Sequence, residues 1–404
     1  MRGVQDMLKK FLIPQRITLI IFCLGLIGLV FSLGDLTAVG YEVSKTVWLK
    51  WWVRLLVLGL WGVILFSKGL FPKNNPNLRP FSKKTWFYLG LLIAVTALAA
   101  GLGVNWQQSL WGNYYRGDGL VTWWHLLVLG IVARWVVVPQ QFKQILPMSF
   151  AVSWLLIVSS SWWSQLASWL PVGFGNPNIA GGFIVVITPL VVFFAQKYHW
   201  SSGLAVYLIS VMTTIYLEVW GAAISLVLGL VMYGFLRRAK LRKLVVLIPI
   251  VALVIGTIGI MWWQPVGNSR FTQSRMRIFH KLGQAVLKRP LLGWGWANVD
   301  TAFISTNWPV PINDDVYVDK AHTQLLEMTV TSGLLGLGVY LLLIGYIYRQ
   351  VGNSIAINQS WTQMLFLTFL LYLFHSQTNV TSVAQDAIFW LSAGLLLDCS
   401  KDCS

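Results

Sequence analysis

The chain has 404 residues, of which 56% are hydrophobic and only 11% are charged, with 35 glycines and 23 tryptophans. A soluble domain carries about 25% charged residues, so this composition excludes a water-soluble globular protein and indicates an all-α polytopic membrane protein. The formal charge of +17 points to an anionic surface and not to nucleic acid, because Lys and Arg cluster in short segments between apolar runs and form no basic face with interleaved aromatics.

In chain order, apolar runs predict twelve spans at roughly 17–34, 48–67, 86–104, 120–138, 146–163, 180–196, 203–219, 221–236, 244–263, 326–348, 361–377 and 385–397. The opening "MRGVQDMLKKFLIPQR" looks like the start of a signal sequence. No small-residue cleavage site follows, so the first run reads as a membrane helix. Alternate connections hold most of the 30 basic residues, among them Lys68, Lys83, Lys84, Arg134, Lys197, Arg237, Lys240 and Arg349. Of the 13 acids, only Asp6, Asp398 and Asp402 share that side. This sorting predicts both termini on the cytoplasmic side of the cell (inner, cytoplasmic) membrane. The expected organisation is one integral-membrane domain, 1–404, with 264–325 as an extracytoplasmic loop carrying part of a site.

Cysteine usage gives no disulfide framework: Cys23 lies in the first run, and Cys399 and Cys403 lie in the tail "DCSKDCS", read as cytoplasmic thiols. Trp48, Trp51, Trp52, Trp86, Trp162, Trp163, Trp262 and Trp263 fall near predicted span ends, where an interfacial aromatic belt accounts for them. Trp106, Trp111, Trp294, Trp296 and Trp308 fall in outer loops, where either protein packing or stacking on sugar rings fits.

Three groups of charges call for an explanation. In "TQSRMRIFHKLGQAVLK", helical spacing puts Arg275 on a face with Ile278, Phe279, Leu282 and Val286, and puts Arg277 on a solvated face with His280, Lys281, Gln284 and Lys288. An arginine projecting with apolar residues needs an anion, either a structural carboxylate or a phosphate that its guanidinium can bind bidentately. In "YVDKAHTQLLEMTVTSGLLG", Asp319 falls one helical turn before His322. Asp319 would either cap the helix start or accept the imidazole N–H and fix its tautomer. Glu327, a turn further on, would support that pair or bind a basic loop residue. The five histidines show no metal-ligand spacing, and no nucleotide or nucleophile-elbow motif is present, so no cofactor is implied.

These blocks are similar to the O-antigen ligase and O-antigen polymerase superfamily. "RPLLGWGWANVDTAF" resembles its Pro-Leu-Leu-Gly-x-Gly signature. "DKAHTQLLEMTVTSGLLGLGVY" resembles its Asp-x-Ala-His block, with Thr323 where asparagine is usual. "GFGNPNIAGGF", with Asn178, resembles an Asn-Pro-Asn segment, and "SLWGNYYRGDGLV", with Arg116, a Trp-Gly-x-x-x-Arg-x-x-Gly pattern. The resemblance implies metal-independent transfer of a glycan from a polyprenyl-pyrophosphate carrier to a glycan, lipid or protein acceptor at the outer face of the bilayer. His322 would be the catalytic histidine and Arg275 the pyrophosphate arginine. The family often carries an arginine at the outer turn between spans seven and eight, where this chain reads "LEVWGAA" with Glu218 and Trp220. Either another arginine, Arg116 or Arg270, supplies that charge, or the donor differs, or activity is lost. A polymerase acting on carrier-linked repeats is the near alternative. A transporter is the alternative of another class, disfavoured because the spans lack charge at mid-depth.

Overall fold

The structure is a computed structural model, and it describes residues 17–31, 40–66, 81–136, 139–163, 172–238, 245, 270–306, 318–352 and 360–397. Predicted span 244–263, Trp262, Trp263, Trp308, Cys399, Cys403 and the side chain of Arg270 lie outside the described residues.

Among the described residues the regular structure is helical apart from one isolated bridge, Phe31 with Val172. In chain order the helices are α1 (Ile17–Gly28), α2 (Gly40–Phe66), α3 (Lys83–Gly101), α4 (Trp106–Trp111), α5 (Leu120–Val136), α6 (Pro139–Trp162) and α7 (Pro177–Gln196). They continue with α8 (Trp200–Tyr216), α9 (Trp220–Arg237), α10 (Arg270–Lys288), α11 (Val299–Ile304), α12 (Gln324–Gly352), α13 (Ser360–His375) and α14 (Val383–Leu396). Five of them contain stretches long and apolar enough to cross a membrane: Lys83–Gly101, Ile145–Trp162, Pro177–Gln196, Trp220–Arg237 and Gln324–Val351. Local chemistry starts several of these helices. Ser82 Oγ accepts from Thr85 N and Ser382 Oγ from Gln385 N, while Asn176 Oδ1 accepts from Asn178 N ahead of Pro177 at the first helical position.

Helices α7, α13 and α14 form the centre and are buried along most of their length. At the periphery, α8 exposes Leu204, Leu208, Met212 and Ile215, and α9 exposes Ile224, Val227 and Val231. Apolar stripes at this spacing, facing away from the bundle, are what bilayer contact requires. Polar side chains join helices inside the bundle: Trp154 Nε1 donates to Ser210 Oγ (2.9 Å), which lies 3.0 Å from Thr188 Oγ1.

Two expectations are corrected here. Helix α2 begins at Gly40, well before the predicted start at 48, which brings Glu42 and Lys45 onto helical turns. Trp48 and Trp52 are not belt residues, since their indoles donate to Gly25 O and Ile21 O of α1, and Trp52 is buried. Only a packing partner supplies that contact, so span-end position alone misassigned them.

Helix α12 is broken at Gly333 (φ 68°, ψ −174°). The break opens the bonds that Leu334 N and Leu335 N would make to Val330 O and Thr331 O. The Pro290–Gly295 segment replaces both: Leu334 N donates to Pro290 O (2.8 Å) and Leu335 N to Leu291 O (3.3 Å), while Val330 O and Thr331 O accept from Trp294 N (2.8 Å) and Gly295 N (3.1 Å). These four backbone groups freed by the break are thus satisfied by protein, as irregular backbone within an apolar helix demands. Glycine is required on both sides, because a Cβ on Gly333 would lie 2.0 Å from Leu291 O and one on Gly293 2.4 Å from Val330 O.

Candidate functional site

The start of α2, the approach to α7, the 112–119 loop and the start of α14 meet at one end of the bundle. There Lys45 Nζ donates to Gly173 O (2.6 Å), Val383 N to Glu42 Oε2 (3.4 Å) and Thr46 Oγ1 to Arg116 O (2.8 Å). The 112–119 loop is closed by two glycines packed backbone to backbone, since a Cβ on Gly119 would sit 2.3 Å from Gly112 N. Inside it, Asn113 Oδ1 accepts from Arg116 N and Thr122 Oγ1 donates to Gly117 O. The loop therefore presents Arg116 and Asp118 on one rigid turn.

That turn is laced to the segment ahead of α12 by two neighbouring ion pairs. Arg116 Nε donates to Asp319 Oδ2 at 2.6 Å, and Lys320 Nζ meets Asp118 Oδ2 at 2.5 Å and Glu327 Oε1 at 3.0 Å. The remaining oxygen of Glu327 accepts from Ala321 N at 2.7 Å. Burial works against each charge, but the partners outweigh it. Asp319 with Glu42 and Asp118 holds the Arg116 pKa above its ordinary value, Asp118 with Glu327 does the same for Lys320, and Lys320 with Arg116 holds the Asp118 carboxyl low.

His322 sits at the turn between this ion-pair ladder and α12, with a left-handed backbone (φ 58°). Such a conformation costs a non-glycine residue about 1–2 kcal/mol, and here its neighbours impose it. Ala321 N is held by Glu327, Gln324 N donates to Ser376 O (2.9 Å), and Thr323 Oγ1 caps the helix by accepting from Leu326 N (3.2 Å). Two expectations change. His322 precedes the helix, so the helical-turn relation to Asp319 does not hold. Asp319 is not the cap either, because its carboxylate faces Arg116 and Thr323 does the capping. Burial pushes the His322 pKa down to about 4, with the Arg275 charge adding to the fall and Asp319 opposing it. The ring is therefore neutral at physiological pH, and strain of this kind collects at functional sites.

Arg275 comes from α10. Its guanidinium donates to Thr378 O (2.6 Å) and Asn379 Oδ1 (3.0 Å) in the loop between α13 and α14. The turn "LEVWGAA" meets the same loop from the other side, since a Cβ on Gly221 would lie 2.9 Å from Asn379 Nδ2. Arg277 corrects the helical-wheel reading. It is buried with Lys281, and both lie over the Phe303 ring of α11, at 5.8 Å and 3.9 Å from its centroid, while Phe279 is exposed. The short helix α11 covers only the Arg277 and Lys281 part of the face that spacing had assigned to solvent, while His280, Gln284 and Lys288 are exposed as expected. Ile278 and Leu282 are buried as expected, in a second apolar cluster with Trp294, Phe303 and Val330.

His322, Arg116, Asp118, Lys320, Glu327 and Asn379 line one cavity of about 60 Å³, with Glu42, Tyr340 and Asp386 further round its wall. Glu42 Oε1, Arg116 Nη1, Asp118 Oδ1 and Tyr340 Oη are buried there and have no hydrogen-bond partner among the described residues. Unsatisfied donors and acceptors around one space mark a site for water or a polar ligand. The space is roomy enough for ordered water, which needs about 10–15 Å³ of this kind of volume. Acids outnumber cations in the wall, which is not the basic cradle a simple anion site would have. Asn178 is not brought to this place: it is exposed on the first turn of α7, and its backbone N–H serves the Asn176 cap. Trp296 packs on Trp123 (4.9 Å between centroids) and lines the cavity, whereas Trp106 and Trp111 are exposed. Sequence reasoning missed Asp118, Lys320 and Glu42 as site residues. The signal was present, since acids are scarce and two of these three residues lie inside quoted motifs.

Compared with known proteins, the chain matches no family model and no curated protein.

Proposed function

We propose that this chain is a membrane glycan ligase, with twelve spans and both termini cytoplasmic, acting at the outer face of the cell membrane. The observation that carries the reading is His322, neutral and backbone-strained, at a polar cavity walled by Arg116, with Arg275 bonded to another lining residue, Asn379. In the reaction, His322 takes the proton from an acceptor hydroxyl as its oxygen attacks the anomeric carbon of the donor sugar. The bond from that carbon to the pyrophosphate oxygen breaks, and the polyprenyl pyrophosphate leaves with the electron pair. Inversion follows from a single displacement. Arg275 and the free Nη1 of Arg116 meet the leaving charge, and the carboxylates accept hydroxyl hydrogens from the sugar.

A base with pKa about 4 is weak for this task. The donor itself supplies part of the remedy. Burial is the larger cause of the depression and the Arg275 charge the smaller; the pyrophosphate offsets the smaller one, so the base strengthens in part when the donor binds. Polymerisation of carrier-linked repeats uses the same chemistry with another acceptor. Transport draws support from the broken α12, but in discontinuous transporter helices the freed backbone faces a ligand, and here it is consumed by Pro290–Gly295.

The test is purified protein with carrier-linked oligosaccharide and candidate acceptors. Transfer by the native chain and loss of about 10²–10⁴-fold in His322→Ala, with a comparable loss in Arg275→Ala, is the expected result. Native-rate transfer by both variants would overturn the mechanism, and protein-dependent uptake into vesicles without transfer would favour transport.

A further inference from the structure

At the end of α12 opposite His322, roughly 35 Å of helix away, a groove of about 610 Å³ opens between the start of α3 and the end of α12. Lys83, Lys84 and Arg349 line it together with Phe87, Tyr88 and Tyr346. Its floor is fixed by the Tyr346 hydroxyl, which lies 3.1 Å from Ser82 Oγ and 3.2 Å from Thr85 Oγ1 and accepts from Gln350 Nε2 at 2.8 Å. The Tyr88 and Tyr346 rings pack 4.9 Å apart beside it. The three cations are exposed on this rigid floor. No Asp or Glu occurs in the sequence between Glu42 and Asp118 or between Glu327 and Asp386, and none lines the groove among the described residues. Phe87 is 63% exposed and Trp86 43% exposed on the same turns, so an apolar surface adjoins the charges. Both helices carry stretches fit to cross a membrane.

We propose that this groove binds the headgroup of an anionic phospholipid, its phosphate held by Lys83, Lys84 and Arg349 and its acyl chains lying along Phe87 and Trp86. A basic pocket between helix ends, with apolar flanks, suits a ligand that is anionic at one end and apolar at the other. The site is separate from the His322 cavity and does not rest on the glycan-transfer reading.

The experiment measures the melting temperature of the full-length chain in mixed micelles with phosphatidylglycerol, with phosphatidylcholine, or with inorganic phosphate and no lipid. Phosphatidylglycerol should raise the Tm by about 2–4 °C over phosphatidylcholine. The triple variant Lys83→Gln, Lys84→Gln, Arg349→Gln should lose that gain while melting as the native chain does in phosphatidylcholine. A control triple, Lys197→Gln, Arg237→Gln, Arg238→Gln, should keep it. If the first triple fails to fold, the single variants Lys84→Gln and Arg349→Gln should each lose part of the gain. The proposal fails if the groove variants keep the full gain, if the control loses it equally, or if inorganic phosphate alone reproduces it.

Discussion

His322 is the residue on which the functional reading turns, and its environment gives two checks. Bound donor should raise its pKa, so the acid limb of kcat should fall at higher pH than the acid limb of kcat/KM, which reports the free enzyme. Coincident limbs would remove the donor-assisted base. Stability falls in the same direction of pH. The folded-state value is depressed, so the neutral ring is favoured in the fold, and that contribution is lost as pH falls from the ordinary histidine range toward about 4. Lys320 is the other residue with a sharp prediction, because Lys320→Met would leave Asp118 and Glu327 partly buried without their shared cation. A loss of about 3 kcal/mol is expected, read as a lowered Tm in detergent. The further change Asp118→Asn in that background should restore part of it.

At the scale of elements, the broken α12 and the Pro290–Gly295 loop form one unit. Gly333→Ala places a Cβ against Leu291 O at a positive φ, and a loss above about 2 kcal/mol is expected, seen as poor yield and an early melt. Gly338→Ala, on the same helix with nothing near its Cβ, should be neutral or stabilise by about 0.5–1 kcal/mol. Equal effects would mean that the break is not held as described. Both glycine blocks stood out in the sequence, yet their pairing did not, because backbone hydrogen bonds between segments far apart in the chain leave no periodic trace. Helix α10 teaches the same lesson. Spacing correctly gave its Ile278 and Leu282 face, but only the docking of α11 decided that Arg277 and Lys281 would be buried over the Phe303 ring.

At the scale of the whole molecule, the His322 cavity and the cationic groove lie at opposite ends of α12. With Cys23, Cys399 and Cys403 first replaced by serine, an impermeant maleimide applied to intact cells should label Glu218→Cys, at the turn between α8 and α9. It should spare Tyr198→Cys at the turn between α7 and α8 until the membrane is opened. The reverse pattern would invert the orientation and place His322 on the cytoplasmic side, where the proposed donor chemistry would have to be abandoned.

The sequence by itself determined the helical class and the approximate positions of most described helices, although α2 and α6 begin seven or eight residues before their predicted starts. Hydrophobic length and the rarity of charge in apolar runs are local properties that a linear reading captures. It also singled out His322, Arg275 and Arg116. Tertiary structure alone decided that Arg116 faces Asp319, that Lys320 is shared by Asp118 and Glu327, and that Asn178 stays apart at the surface. The reason is physical: a charge acquires its role from the partner that burial forces on it, and in this chain those partners come from α2, the 112–119 loop and the approach to α12, which meet only when the bundle closes.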